Sequence, residues 1–226
     1  IASVKKQDNM VSTAFGPTGI NPATHGFRLN GNSAVMLVWC ATARDRAALT
    51  GEDPNSVALR TQDKVYMRGL REQVRIANFQ DAVAGQAANW QWRRVCFTAK
   101  GLFQVLGTSV DHMETSNGYV RYLADQAGTA FGATLLDTMF RGQQDRDWLT
   151  VFSAKTDNSR ISVKYDVTRQ LNTGSGAKKI WEFKLWHPMN ANLIYNADES
   201  GKNDVSLDYS SLARQGMGDY YVVDFL

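Results

Sequence analysis

Histidines, cysteines, grouped carboxylates and paired arginines are the side chains here with chemistry to offer, and their spacing decides what they can do. His25, His112 and His187 stand far apart, with no His-x-His or HExxH pair to seat a metal. "DHMET" gathers Asp111, His112 and Glu114 in a polar loop, but a solvated loop has that composition anyway, and no metal site is assigned. "GSGAKK", Gly174 to Lys179, has the glycines and lysines of a phosphate loop without the Walker spacing. It joins two alternating segments instead of a strand and a helix, so it reads as a hairpin turn. "SSLARQG" contains no GxSxG elbow. Cys40 and Cys96 form no CxxC and read as two free, buried, reduced thiols. No catalytic residue, metal ligand or cofactor is assigned, and the expectation is a protein that is not an enzyme.

Charge is the remaining lead. The net charge of +3 hides a pattern: residues 60–101 hold eight basic and three acidic side chains, and 160–189 hold six and two. Residues 102–159 and 190–226 are acidic on balance, so the positive charge gathers on strand-like segments and the negative charge on loop-like ones. At 226 residues and 43% hydrophobic, the chain can bury a substantial core as one domain, 1–226. The longest apolar run, Ala34 to Ala41, falls well short of the ~20 residues of a membrane span, so no membrane partner is expected. The sequence begins with Ile1 and shows no signal peptide, which suggests a processed or truncated chain.

Strand patterns must position these charges. "RISVKYDVT" alternates, with Ile161, Val163, Tyr165 and Val167 on one face. "IWEFKLWHP" places Trp181, Phe183 and Leu185 inward and Glu182 and Lys184 outward, and Pro188 is expected to close the strand. "VYMRGLREQVRIA" sets Tyr66, Leu70, Val74 and Ile76 against Gly69, Arg71, Gln73 and Arg75 on the other face. "AVMLVWCATA" and "DYYVVDFL" are apolar on both faces and must be covered on both. "DNMVSTA" is a weaker strand, and "GPTGINPATHG" reads as loop. In "ATLLDTMFRG" the spacing of Leu135, Leu136 and Met139 predicts a short helix. Six or seven strands with long connections point to an all-β jelly-roll sandwich of two antiparallel sheets.

The segment "WQWRRVCFTAKG" is the densest mixture of aromatic and basic residues. Val95, Phe97 and Ala99 share one face, and Trp90, Trp92, Arg94, Cys96 and Thr98 the other. Both faces carry large apolar groups, so the strand should be covered on both sides. Base-stacking aromatics sit beside cations on an open face. Trp92 and Arg94 share a face, which keeps nucleic-acid contact in play beside sheet packing and subunit contact.

Taken in chain order, "WCATARD", "YMRGLREQVRI", "WQWRRVCFTAKG", "ISVKYDVTR", "LWHPMNANLIY" and "GMGDYYVVDF" resemble the capsid protein of genomoviruses. These are small circular single-stranded DNA viruses, several of them fungal, related to the geminiviruses. The resemblance spans about residues 5–225. It implies a jelly-roll subunit that self-assembles into an icosahedral shell around single-stranded DNA, without enzymatic activity. It also implies a place in the virion and, during assembly, in the host nucleus. Family members begin with a basic arm that binds DNA and directs nuclear import. Only Lys5 and Lys6 stand before the first strand here, so the arm, with the host import factors it would engage, is expected to be missing from this sequence. A last short strand after "GDYYVVDF" is expected to be missing as well.

Without that arm, the folded domain itself must offset phosphate charge. Arg71 and Arg75, joined by Lys5 and Lys6, are the expected DNA-binding residues. Arg93 and Arg94 come second, because their strand looks covered. The competing expectation is that Arg71 and Arg75 form surface pairs with Glu72 or with Glu182. Phosphate contacts carry little sequence information, so binding should be non-specific. Two other readings compete. A non-viral jelly-roll module of the carbohydrate-binding type would need an exposed aromatic platform or a calcium loop, and "DHMET" is the only loop that suggests one. A replication-initiator nuclease would need a paired-histidine motif, which is absent.

Overall fold

In the computed structural model, residues 10–16, 19–22, 25–29, 33–46, 58–78, 89–103, 112–115, 118–174, 178–201 and 203–226 are described. They form β1 (Met10–Thr13), β2 (Phe15–Gly16), β3 (Gly19–Pro22), β4 (Met36–Cys40), β5 (Lys64–Asn78), β6 (Asn89–Ala99), β7 (His112–Thr115), β8 (Gly118–Tyr122) and β9 (Ala124–Asp125). The helix α1 (Ala130–Met139) follows, and then β10 (Ser162–Asn172), β11 (Lys179–Ser200), β12 (Asn203–Ser210) and β13 (Asp219–Phe225). A five-stranded sheet runs β10-β6-β13-β4-β9, and a three-stranded sheet runs β12-β11-β5. A smaller sheet runs β1-β8-β7, and β2 pairs with β3. The two large sheets are antiparallel throughout, whereas β1 and β8 run parallel. The fold is an all-β, jelly-roll-like sandwich. No helix among the described residues is long and apolar enough to cross a membrane.

The strands without alternation sit where their sequence requires. Every residue of β4 and of β13 is buried, and β13 lies between β4 and β6 at the middle of the large sheet. One face of that sheet, carrying Val38, Cys40, Val95, Phe97, Tyr221 and Val223, packs against Leu135 and Met139 of α1 and against Phe140 and Ile161. The opposite face, carrying Trp39, Cys96, Tyr220 and Val222, packs against Leu70 of β5 and Met189 of β11. Each large side chain removed from water in this way contributes about 1.5–3 kcal/mol, which makes the doubly covered sheet the main source of stability.

The expected helix is α1. Thr129 caps it, its hydroxyl accepting from the Gly132 amide at 2.9 Å, and Phe140 leaves the helix in extended geometry. Gly132 is required by contact: a Cβ there would lie 2.0 Å from the Gln126 carbonyl oxygen.

Several details depart from the pattern reading. β10 does not keep one apolar face, because its register with β6 shifts between Val163 and Tyr165. Val163 therefore packs on the α1 side and Tyr165 on the side of the second sheet. Pro188 does not end its strand. It pairs with Gly69 at the start of a register shift, and β11 continues to Ser200 with Asn190 at φ 46°. A bulge tolerates a residue with no amide hydrogen, which is how the proline stays inside the ladder. β10 and β11 belong to different sheets, so they form no hairpin; residues 175–177 of "GSGAKK" lie outside the described residues. "GPTGINPATHG" contributes to the short ribbon in which Phe15 pairs with Pro22. Tyr66, expected on the inner face of β5, is 61% exposed, so coverage of that strand begins at Leu70.

Candidate nucleic-acid interface

Where residues 70–76 of β5 lie beside residues 181–187 of β11, the outer face is built by alternation. Between Leu70 and Ile76 of β5 the exposed residues are Arg71, Gln73 and Arg75; between Trp181 and His187 of β11 they are Glu182, Lys184 and Trp186. The register sets Arg71 opposite Trp186, Gln73 opposite Lys184 and Arg75 opposite Glu182. Inward-facing partners hold the two strands down, including Val74 with Phe183 and Ile76 with Trp181. This stretch of the face therefore carries three cations and one carboxylate.

Arg75 reaches Glu182 at only 3.9 Å, with side chains 60% and 52% exposed, so solvent screens the pair and it contributes little. The expected alternative, in which Arg71 or Arg75 pairs with Glu72, does not occur, because Glu72 points into the sandwich. Among the described residues no ion pair engages Arg71. Trp186 is 55% exposed, and its six-membered ring lies against Gly69, where a Cβ would come within 2.6 Å of the ring. The missing side chain lets the indole lie on the sheet backbone, with its other side open to solvent.

Lys5 and Lys6 lie outside the described residues. Arg93 and Arg94 are inside the molecule, and they point to opposite sides of the large sheet. Arg93 makes a two-pronged contact with Asp166 at 2.8 and 2.7 Å, donates to the Ala154 carbonyl at 2.8 Å and to that of Val151, and lies over the Phe140 ring. Arg94 donates to both oxygens of Asp224 and meets Glu72 across the gap between the sheets. At 5% and 4% exposure, neither guanidinium is presented to a ligand.

Arg94 opens a buried polar chain. Trp92 also donates to Asp224, at 2.7 Å, while Glu72 contacts His187 Nε2 at 3.2 Å and His187 Nδ1 lies 3.0 Å from the Tyr220 hydroxyl. Burial alone would raise the Glu72 carboxyl, yet His187 and Arg94 outweigh it and hold the carboxyl below its usual range. The chain cross-links β6, β13, β5 and β11. It is enclosed between the sheets, which suits adhesion between layers.

A second polar cluster forms where β7 approaches β12. His112 Nε2 lies 3.4 Å from Asp45 and 3.6 Å from Asp208. The ligand atoms of all three lie within 4.8 Å of one another, close enough to share a divalent ion or to form an ion triad around a protonated His112. Burial, with Asp45 alongside, pushes the Asp208 carboxyl up to about 7. These two partners of His112 are distant from it in sequence, and the Glu114 side chain of its own motif lies outside the described residues. Asp111 lies outside the described residues.

Two members of the outer face, Lys184 and Trp186, were not among the expected DNA-binding residues. The alternation that places Glu182 outward places Trp186 outward too, so the signal was present in "IWEFKLWHP". No protein-family model matches the sequence, and no curated protein matches it.

Proposed function

We propose that this chain is the shell-forming subunit of a virus particle that encloses circular single-stranded DNA, as the genomovirus-like sequence blocks imply. The observation that supports the reading is where those blocks fall. "WCATARD" begins in the last residues of β4, "YMRGLREQVRI" lies in β5, "WQWRRVCFTAKG" covers most of β6, and "ISVKYDVTR", "LWHPMNANLIY" and "GMGDYYVVDF" supply β10, β11 and β13. The resemblance thus resides in the framework strands of one sandwich, not in scattered loops. A jelly-roll-like subunit with long connections has the means to meet its copies around symmetry axes. On this reading Arg71 and Arg75 face the enclosed DNA, binding is non-specific, and the protein resides in the virion and, during assembly, in the host nucleus.

The carbohydrate-binding alternative gains one observation, the exposed Trp186. The cations around it favour a polyanion over a neutral sugar. Light scattering and negative-stain microscopy of full-length protein at neutral pH and moderate salt test the proposal. Closed particles are expected, and a stable monomer under every condition tried would refute it.

A further inference from the structure

We infer that Trp186 is a base-stacking platform, and that the outer face of β5 and β11 selects single-stranded over double-stranded nucleic acid. The inference rests on the reading of the chain as a DNA-enclosing protein and adds to it a means of telling strands apart.

Cations alone cannot make that distinction, because phosphate is common to both forms. Arg71 and Arg75 lie four residues apart on one strand, about 13 Å at the rise of a β-strand, and Lys184 projects from the neighbouring strand on the same face. In this stretch, three cations against the single carboxylate of Glu182 complement a polyanion that runs along the strands. Trp186 adds what phosphate contacts lack. Its ring packs against Gly69, the residue is 55% exposed, and Arg71 stands opposite it in register. The bases of a duplex already stack on each other, so only an unpaired base has a π-face to lay on the indole. Stacking on the indole reads no base edge, so the contact would be tolerant of sequence.

Titrations of fluorescein-labelled oligothymidine and of an equal-length duplex against the full chain, at several salt concentrations, test this. Trp186→Ala should weaken oligothymidine binding roughly tenfold, the stacking contribution of one base, leave duplex binding unchanged and keep the salt slope of the parent. Trp186→Phe should recover most of the loss. Arg71→Ala with Arg75→Ala should weaken both ligands and flatten the single-strand salt slope by roughly 0.7 per contact removed. Thermal melts check that each variant folds. If only the arginine variant weakens binding, stacking is wrong and the DNA-facing role of the surface stands. If neither variant weakens it, the face does not hold nucleic acid. If Trp186→Ala blocks particle assembly with oligothymidine binding intact, the face is a subunit contact and the inference fails. A parent chain that binds no nucleic acid refutes the functional reading itself.

Discussion

Arg94 on β6 grips Asp224 on the adjacent β13 through two parallel hydrogen bonds of 2.7 and 2.6 Å, with both side chains buried. The same guanidinium meets Glu72 of the opposing sheet. One side chain thus joins two strands within a layer and ties that layer to the next. Taking away one partner of such a cluster leaves buried carboxylates uncompensated. Arg94→Met should therefore destabilise the fold by about 3–5 kcal/mol in urea unfolding, whereas Arg71→Ala should stay within about 0.5 kcal/mol of the parent. A loss below about 1 kcal/mol for Arg94→Met would remove the structural role assigned to it. With a loss of the expected size, reduced DNA content in an Arg94 variant reports misfolding and not a lost phosphate contact.

Asp219 predicts a pH signature. Its carboxylate accepts from the Ser210 amide at 3.0 and 2.9 Å, from the Ser210 hydroxyl at 2.7 Å and from Thr42 at 3.2 Å. Burial outweighs these donors and pushes the carboxyl up to about 6. The folded state then holds this proton more tightly than the unfolded chain, where an aspartate titrates near 3.9. The group costs nothing below that lower value and destabilises progressively as pH rises from about 4 to about 6, by about 3 kcal/mol in all. Asp219→Asn removes the titration. The unfolding free energy of the parent minus that of the variant should fall by about this amount between pH 4 and pH 7. A difference that stays flat would refute the assignment.

The cysteines should remain thiols. Cys40 and Cys96 lie on β4 and β6, which flank β13, so two strand spacings of about 4.8 Å separate them. Cys40 belongs to the cluster facing α1 and Cys96 to the cluster facing the second sheet. A disulfide needs Cα atoms within about 4.4–6.8 Å and side chains that converge, and neither condition holds. Burial also pushes the Cys96 thiol up, away from the reactive thiolate. Alkylation of denatured protein without reductant should give two labelled cysteines by mass spectrometry. A Cys40–Cys96 bridge in intact particles would contradict the fold.

Face assignments were legible in the sequence wherever a strand meets solvent on one side. The alternation along β5 from Leu70 to Ile76 and along β11 from Trp181 to Leu185 holds in the structure, as does the double coverage of β4, β6 and β13. The face switch in β10 was not legible, since no glycine or proline marks Lys164 at the register shift. β10 and β11 looked like the arms of a hairpin because local sequence does not reveal which strand a neighbour pairs with. Burial of Arg93 and Arg94 depends on carboxylates 73 and 130 positions away, a separation that no local window contains. Trp186 was readable by parity, but its exposure depends on nothing covering that face of β11.

The position of β13 bears on how the protein is made. β4 and β6 emerge from the ribosome well before Asp219, yet each must hydrogen-bond to β13 along its length and neither pairs with the other. Until residues 219–225 are translated and free of the exit tunnel, the nascent chain exposes two apolar strands with unfilled edges. Their closure is a long-range step that is slow to reach and vulnerable to aggregation. The large sheet should therefore form only after that segment is released, leaving earlier intermediates for chaperones to shield. Stalled nascent chains ending before Asp219 should be protease-sensitive throughout β4 and β6, and protection there would show that the sheet closes without its central strand.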